Sequence, residues 1–250
     1  MNKRHNKFTL VELLVVICIA SLLLGLVLPA FNRMVTGSAV DRLASNLKLR
    51  LERAQSHAAS SRRHVALLLP NGNTKTKWVD DSKVENARLG GSRMCYVDNV
   101  QVKGEGASSE YYTSEFKRWL PDEDWTTPAR GALLIAVSST DPVKSDGTLD
   151  ATYIEHNKEI TGNILKGSGK GKPFKETQNI KFSEGGNQVT VEDSAVIFSP
   201  KGGIRSNADI YFVIAEAAID GDRVLYPGGQ INNYRVLKIN RLTGKVEYHR

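Results

Sequence analysis

The chain has 250 residues, 40% of them hydrophobic and 24% charged, with a net charge of +7. This length is enough for one domain with a substantial core, and the mild positive charge does not by itself indicate a nucleic-acid-binding protein. The two cysteines, Cys18 and Cys95, exclude a disulfide framework, because Cys18 lies in an apolar run and Cys95 in the polar remainder.

The N-terminus has the pattern of a membrane anchor. Three basic residues lie within positions 1–7, and an apolar run follows over positions 8–31. A helix needs roughly 20 apolar residues to cross a bilayer, so this run is long enough. The basic residues hold the N-terminus on the cytoplasmic side. The sequence therefore predicts a leader at 1–7 and a transmembrane helix at 8–31.

One acidic residue, Glu12, interrupts this run. A charge inside a bilayer costs several kcal/mol, so we expect it to have a functional partner. The amine of Phe8 fits that role if the chain is cut between Lys7 and Phe8. A secretory signal peptide is a poorer interpretation, since its apolar core is shorter and a small-residue cleavage site follows it.

The order Phe8, Thr9, Leu10, Val11, Glu12, Leu13, with Pro29 near the end of the run, resembles the class III signal of type IV pilins and pseudopilins. The resemblance implies that a membrane prepilin peptidase removes the leader and methylates the new N-terminal Phe8. It also implies that Glu12 pairs with the Phe8 amine of a neighbouring subunit. The family usually has Gly before the cut, and this chain has Lys7.

A second helical pattern covers positions 32–63. Apolar residues recur there at spacings of three and four, which predicts an amphipathic helix that continues the first one and packs on a core; they are Val40, Leu43, Leu47, Leu51, Ala54 and Ala58. Pro29 removes a backbone donor and Gly37 costs about 1 kcal/mol relative to Ala, so we expect a kink or weak point at these two positions.

The remaining positions, 64–250, predict an antiparallel β domain, and the fold class is α+β. Strand patterns occur at 64–69, 76–79, 94–97, 100–102, 131–137, 195–198, 209–214, 234–239 and 245–248, the last two forming a hairpin, while 111–120 is ambiguous. Positions 138–187 are rich in Ser, Thr, Gly, Lys, Asp and Asn, which predicts a flexible surface insertion.

Three segments, 43–67, 196–203 and 235–246, resemble the H-type minor pseudopilin family of type II secretion. The resemblance implies a structural subunit of a pseudopilus that acts in protein secretion across the outer membrane. Its partners would be other pilin or pseudopilin subunits, the prepilin peptidase, membrane lipid and the inner-membrane assembly platform. The chain would lie in the bacterial inner membrane with its β domain in the periplasm, and then in a periplasmic filament.

An alternative is a minor pilin of the DNA-uptake type. Its phosphate contacts would come from a basic C-terminal face made of Lys201, Arg205, Arg235, Lys238, Arg241, Lys245 and Arg250. These residues alternate with apolar ones, a pattern that is also typical of the solvent face of a sheet. The sequence alone leaves both alternatives open.

We expect no enzymatic activity, cofactor or metal. None of the five histidines has Cys, Asp or Glu at zinc-ligand spacing, and the glycine-rich stretch at 167–172 lacks the P-loop spacing. The acidic stretches 122–124 and 220–222 are typical of turns rather than of a calcium loop.

Overall fold

We describe the protein from a computed structural model. The structure describes residues 10–70, 87–103, 110–128, 130–150, 178–184, 187–206, 208–220 and 223–249. For residues 24–37, 99–103, 110–113, 178–179, 182–184 and 187–194 it describes the backbone alone. The predicted strand at 76–79 lies outside these ranges.

One helix, α1, runs from Leu10 to Ser61. Its backbone is helical through Pro29 and Gly37, and no break separates the two predicted halves. The helix ends at Arg62, whose φ of 54° is left-handed. A left-handed residue directly after a helix is a common way to end it, although Gly is the usual choice there.

The second half of α1 packs on the β domain as the apolar spacing predicted. All six residues of the stripe are buried, together with Ala39 and Ala44. Small side chains on this face let the helix approach the strands closely, and burial of the leucines contributes about 1.5–3 kcal/mol each. The amphipathic pattern therefore identified the buried face of the helix.

In the described residues after the helix there are twelve strands. They are β1 His64–Leu68, β2 Arg93–Lys103, β3 Glu110–Trp119, β4 Ala132–Ser138, β5 Gln178–Glu184, β6 Asn187–Ser199, β7 Gly202–Ile204, β8 Ile210–Glu216, β9 Ala218–Asp220, β10 Arg223–Leu225, β11 Tyr234–Ile239 and β12 Val246–Tyr248. The fold is thus α+β, with antiparallel pairing nearly throughout.

The first sheet closes on itself. Its order is β1-β2-β3-β5-β6-β7, and β1 also pairs with β6, so that five strands form a ring. Strands β3 and β5 pair in parallel, whereas the other described strands of the ring pair antiparallel, and this allows an odd number of strands to close. Closure leaves the ring strands with few unpaired edges, which protects the backbone polar groups.

Strand β1 is buried on both faces. Val65 and Leu67 face the main core beneath α1, while Ala66 and Leu68 point into the ring. This division follows from the two-residue period of a strand. The ring encloses its own small apolar cluster, completed by Cys95, Val97, Ile180, Ala195 and Ile197, with Phe116, Trp119 and Trp125 packed against it.

The second sheet has the order β12-β11-β8-β4 and is antiparallel. It contacts α1 as well, so the helix lies against both sheets. The predicted terminal hairpin is confirmed as β11 and β12. A short additional hairpin, β9 with β10, was not predicted.

The predicted insertion at 138–187 is wrong at both of its ends. Residues 139–150 form a compact turn in which Val143 bridges to Leu149, and Tyr234 Oη donates a 2.6 Å hydrogen bond to Gly147 O. At the other end, Gln178–Glu184 is strand β5 of the ring. Only the short segment from Ile180 to Phe182 alternates between apolar and polar residues, and polar residues flank it. Pairing with the neighbouring strands therefore decides its conformation. Residues 151–177 lie outside the described residues.

Two predicted short strands, 94–97 and 100–102, are one strand, β2, with an irregular register between Tyr96 and Val97. The ambiguous segment 111–120 is β3. The polar residues Asp98 and Asn99 lie between the two apolar segments, so the local pattern predicts an interruption that the pairing of β2 with β3 overrides.

Candidate functional site: the two halves of the long helix

The helix has two different surfaces along its length. From Ala39 onward it is embedded in the domain, whereas its first described turns project apolar side chains outward. Leu10 is 82% exposed. Further apolar side chains of this half are exposed to a smaller fraction: Val11, Leu13, Leu14, Val15, Val16, Ile17, Ile19, Leu22 and Leu23. An exposed apolar surface of this extent is typical of a contact with lipid or with other proteins.

Within the described residues, no helical segment is long and apolar enough to cross a membrane. Of the predicted span 8–31, Phe8, Thr9 and the side chains of residues 24–31 are not described.

Glu12 lies in the first turn of α1, among these exposed residues. The helix N-terminus carries a partial positive charge, so a carboxylate there is favourably placed. Lys7 and Phe8, the predicted processing site, lie outside the described residues. Cleavage, methylation and the Phe8–Glu12 pair therefore stay predictions.

A buried ion-pair cluster fastens the embedded half of the helix to the loop after β3. Arg50 Nη2 donates a 2.7 Å hydrogen bond to Glu123 Oε2, and Arg53 Nη1 lies 2.7 Å from Glu123 Oε1. The Arg53 contact is an ion pair whose alignment falls short of a hydrogen bond. The Glu123 side chain is only 2% exposed, so its charge depends on these partners.

Further contacts hold the loop that carries Glu123. Arg93 Nε donates to Glu123 O at 3.2 Å, and its guanidinium lies 4.0 Å from the centre of the Trp119 ring. Arg50 Nη2 also donates to Ser92 O, at 3.2 Å. The loop thus joins the helix to the first sheet.

The second sheet is fastened to the same helix by polar contacts. Gln55 Nε2 donates to Thr243 O at 2.6 Å, and the Ser45 and Tyr248 hydroxyls lie 3.0 Å apart. Because α1 is tied to both sheets, we expect the embedded half and the domain to move as one body, with the exposed half extending from it.

The basic residues predicted for nucleic-acid contact do not form one face. Arg235 and Lys238 are three apart on β11 and therefore point to opposite faces of the strand. Each of three residues is paired with a carboxylate, in the pairs Arg235–Asp41, Lys238–Asp209 and Lys245–Glu247, at 2.8, 3.0 and 3.3 Å. Arg250 lies outside the described residues.

Asp209 shows how firmly one of these pairs is held. It accepts a 2.9 Å hydrogen bond from Arg241 N and contacts Lys238 Nζ. These interactions, the backbone bond first, hold the pKa of the Asp209 carboxyl below its usual range. In turn, the bond to Asp209 raises the pKa of Lys238.

Arg205 belongs to the ring instead. Its Nη1 donates a 2.8 Å hydrogen bond to the buried hydroxyl of Ser114. His64, at the start of β1, lies close enough to Arg205 to sense its positive charge. Burial of His64 is the main cause that lowers its pKa below the usual value, and the Arg205 charge is the second cause. This end of the ring is polar, whereas its interior is apolar.

Among the residues that the structure describes, no group of three His, Cys, Asp or Glu side chains could hold a metal ion. The acidic stretch 122–124 is a turn, with Asp122 at a φ of 58°, and its central carboxylate binds arginines. The second acidic stretch, 220–222, lies largely outside the described residues.

No protein-family model and no curated protein sequence matches the chain. Among solved structures, the chain is similar to the crystal structure of the type IV minor pilin FimU from Pseudomonas aeruginosa strain PAO1, at 11% identity and a TM-score of 0.36. The match covers 85% of this chain and 90% of that chain.

Sequence reasoning missed the Arg50, Arg53 and Glu123 cluster. The two arginines fall off the apolar stripe and Glu123 lies in an acidic stretch, so each looked like an ordinary surface residue. The available signal was the spacing of the two arginines. They lie three apart beside the buried face, at positions where side chains of neighbouring turns converge.

Proposed function

We propose that this protein is a non-enzymatic filament subunit of the type IV pilin and pseudopilin class, and more specifically a minor pseudopilin of a type II secretion system. The observation that carries the proposal is the division of α1. One half is fastened to both sheets through Glu123, Thr243 and the buried stripe, while the other half exposes an apolar surface that contains Glu12.

This division suits a subunit that is stored in a membrane and then assembled. The exposed half of α1 would lie in lipid before assembly and against the same half of neighbouring subunits afterwards. The core of the domain does not include residues 10–23. The domain would therefore stay folded while these residues pass from lipid to neighbouring subunits. Each subunit would thus contribute its helix to the filament axis and its β domain to the filament surface.

In this proposal Glu12 sets the register. A prepilin peptidase would cut between Lys7 and Phe8 and methylate Phe8, whose amine would then pair with Glu12 of the adjacent subunit. Both charges leave water together, and each offsets the desolvation cost of the other. A carboxylate is costly to place in lipid, so a pair with the amine of a neighbouring subunit favours assembly.

The test separates insertion from assembly. Glu12→Gln and Glu12→Val should insert into the membrane as well as the unaltered chain, since a neutral side chain enters lipid more easily. Both should fail to enter sheared filaments. The matched control is Glu52→Gln, which removes an exposed carboxylate of the embedded half, 3.7 Å from Lys48.

Mass spectrometry of the membrane-extracted protein gives the second measurement. We expect a chain that begins at a methylated Phe8. A mature chain that begins at Met1, or normal filament incorporation of Glu12→Val, contradicts the proposal.

A further inference from the structure

Three turns meet at the end of the domain where α1 stops. We call this surface the distal tip; it comprises residues 62–63, 199–203 and 240–245. The pairing of Val65 with Phe198 places the first turn beside the second. The second and third touch through Gly203, where a Cβ would lie 2.7 Å from Arg241 O. With its φ of 57°, Gly203 is suited to this close approach.

The distal tip is basic throughout. It contains five cationic residues, all exposed, and no acidic residue: Arg62, Arg63, Lys201, Arg241 and Lys245. In the described part of the chain, Arg62, Arg63 and Lys201 contact no carboxylate. The carboxylates at the border of the tip are already matched by lysines, in the pairs Asp98–Lys117, Asp209–Lys238 and Glu247–Lys245.

Compensation of the helix dipole explains only part of this charge. Basic residues are favourable after a helix C-terminus, which accounts for Arg62 and Arg63. It does not account for Lys201, Arg241 and Lys245 in the other two turns. Arg62 also occupies a left-handed conformation in which Gly is preferred, so the chain bears a backbone cost to keep a guanidinium there.

An exposed leucine stands in the middle of this charge. Leu242 is 73% exposed at the tip of the β11–β12 turn. The turn is held rigidly, because Asn240 Oδ1 accepts 3.0 Å hydrogen bonds from the backbone N–H groups of Leu242 and Thr243. The apolar side chain is therefore presented outward by a preformed turn.

We propose that the distal tip docks on the surface of an anionic lipid bilayer. Arg62, Arg63 and Lys201 would bind headgroup phosphates while Leu242 enters the boundary between headgroups and acyl chains. Basic residues near a leaflet attract anionic lipid, and a nearby apolar side chain adds burial. The described tip has no aromatic side chain on which a base could stack, and so it favours lipid over single-stranded nucleic acid.

This bilayer is not the one that the N-terminal half of α1 would enter. The helix has 52 residues, which corresponds to a length of about 78 Å. Glu12 and the distal tip lie toward its opposite ends. The inference goes beyond the filament role and does not depend on it, because docking is measured on the isolated chain.

The test uses the full chain held in a neutral phosphatidylcholine nanodisc. Flotation measures its binding to vesicles of phosphatidylcholine with one third phosphatidylglycerol, and to vesicles of phosphatidylcholine alone. We expect binding to the anionic vesicles only. The double variant Arg62→Gln/Lys201→Gln should weaken that binding by roughly twenty-five-fold, from about a fivefold loss for each basic residue.

Two further variants decide the interpretation. Arg42→Gln/Lys144→Gln removes the same number and type of charges from exposed positions elsewhere and should bind as the unaltered chain does. Leu242→Ser should weaken vesicle binding and leave any binding to a DNA duplex unchanged. Each of four results overturns the proposal. They are no binding to anionic vesicles, equal losses in the two double variants, unchanged vesicle binding of Leu242→Ser, or tighter binding to duplex DNA than to vesicles.

Discussion

The guanidinium of Arg50 donates a 2.7 Å hydrogen bond to the carboxylate of Glu123, 73 residues further along the chain. Arg53 adds a second positive charge one helical turn away. This contact joins the helix to the loop after β3 at a site that water hardly reaches. The helix and the domain are consequently one folding unit.

Loss of the Glu123 charge should destabilise the fold. Glu123→Gln leaves Arg50 without its ionic partner, so we expect the free energy of unfolding to fall by about 3–5 kcal/mol. Urea denaturation measures this free energy of unfolding. Glu52→Gln, at an exposed pair on the same helix, should cost no more than about 0.5 kcal/mol. Equal effects of the two substitutions would show that the cluster contributes no more than a surface pair.

The domain should fold without the exposed half of the helix. A fragment that begins at residue 34 keeps Ala39 and every buried residue after it, while it loses residues 10–23, which contact none of the core. We therefore expect a soluble monomer with cooperative unfolding. Size-exclusion chromatography and thermal denaturation test this. Aggregation of the fragment, or the absence of a cooperative transition, would mean that the removed segment belongs to the core.

Two leucines on α1 provide a matched pair for measuring burial. Leu47→Ala removes a buried side chain and should cost about 2–5 kcal/mol, because it creates a cavity between helix and sheets. Leu49→Ala alters a side chain that is 64% exposed and should change stability by at most about 0.5 kcal/mol. Denaturant midpoints of the two variants, compared in the same fragment, give the difference. Similar costs would contradict the assigned face.

His64 should make stability depend on pH. Burial, followed by the charge of Arg205, lowers the pKa of His64 in the folded state below its usual value. The unfolded state then binds the proton more readily, so this contribution is present above about pH 6.5 and is lost as the pH falls through that value toward the folded pKa. Unfolding at a series of pH values should show stability rising with pH in this window.

The matched variants for this effect are His64→Gln and His57→Gln. The first should flatten the pH dependence in that window, whereas the second should leave it in place. An unchanged slope in His64→Gln would assign the dependence to another group.

The sequence by itself determined the features that repeat over short distances. The spacing of Leu43, Leu47 and Leu51 predicted the buried face of the helix, and the apolar segments at 131–137 and 209–214 predicted strands. The alternation around the turn at 242–244 predicted the terminal hairpin. In each case one element carries its own periodicity, so neighbouring residues contain the whole signal.

Only the tertiary structure decided the features that depend on distant partners. Strand β5 forms because β3 and β6 pair with it, and the ring closes because β1 has β2 on one edge and β6 on the other. Glu123 is buried because two arginines of the helix meet it, and Arg235 is neutralised by Asp41. A charged side chain looks the same in sequence whether it faces water or a partner. The free energy that distinguishes the two cases comes from desolvation and pairing, which depend on the packed chain.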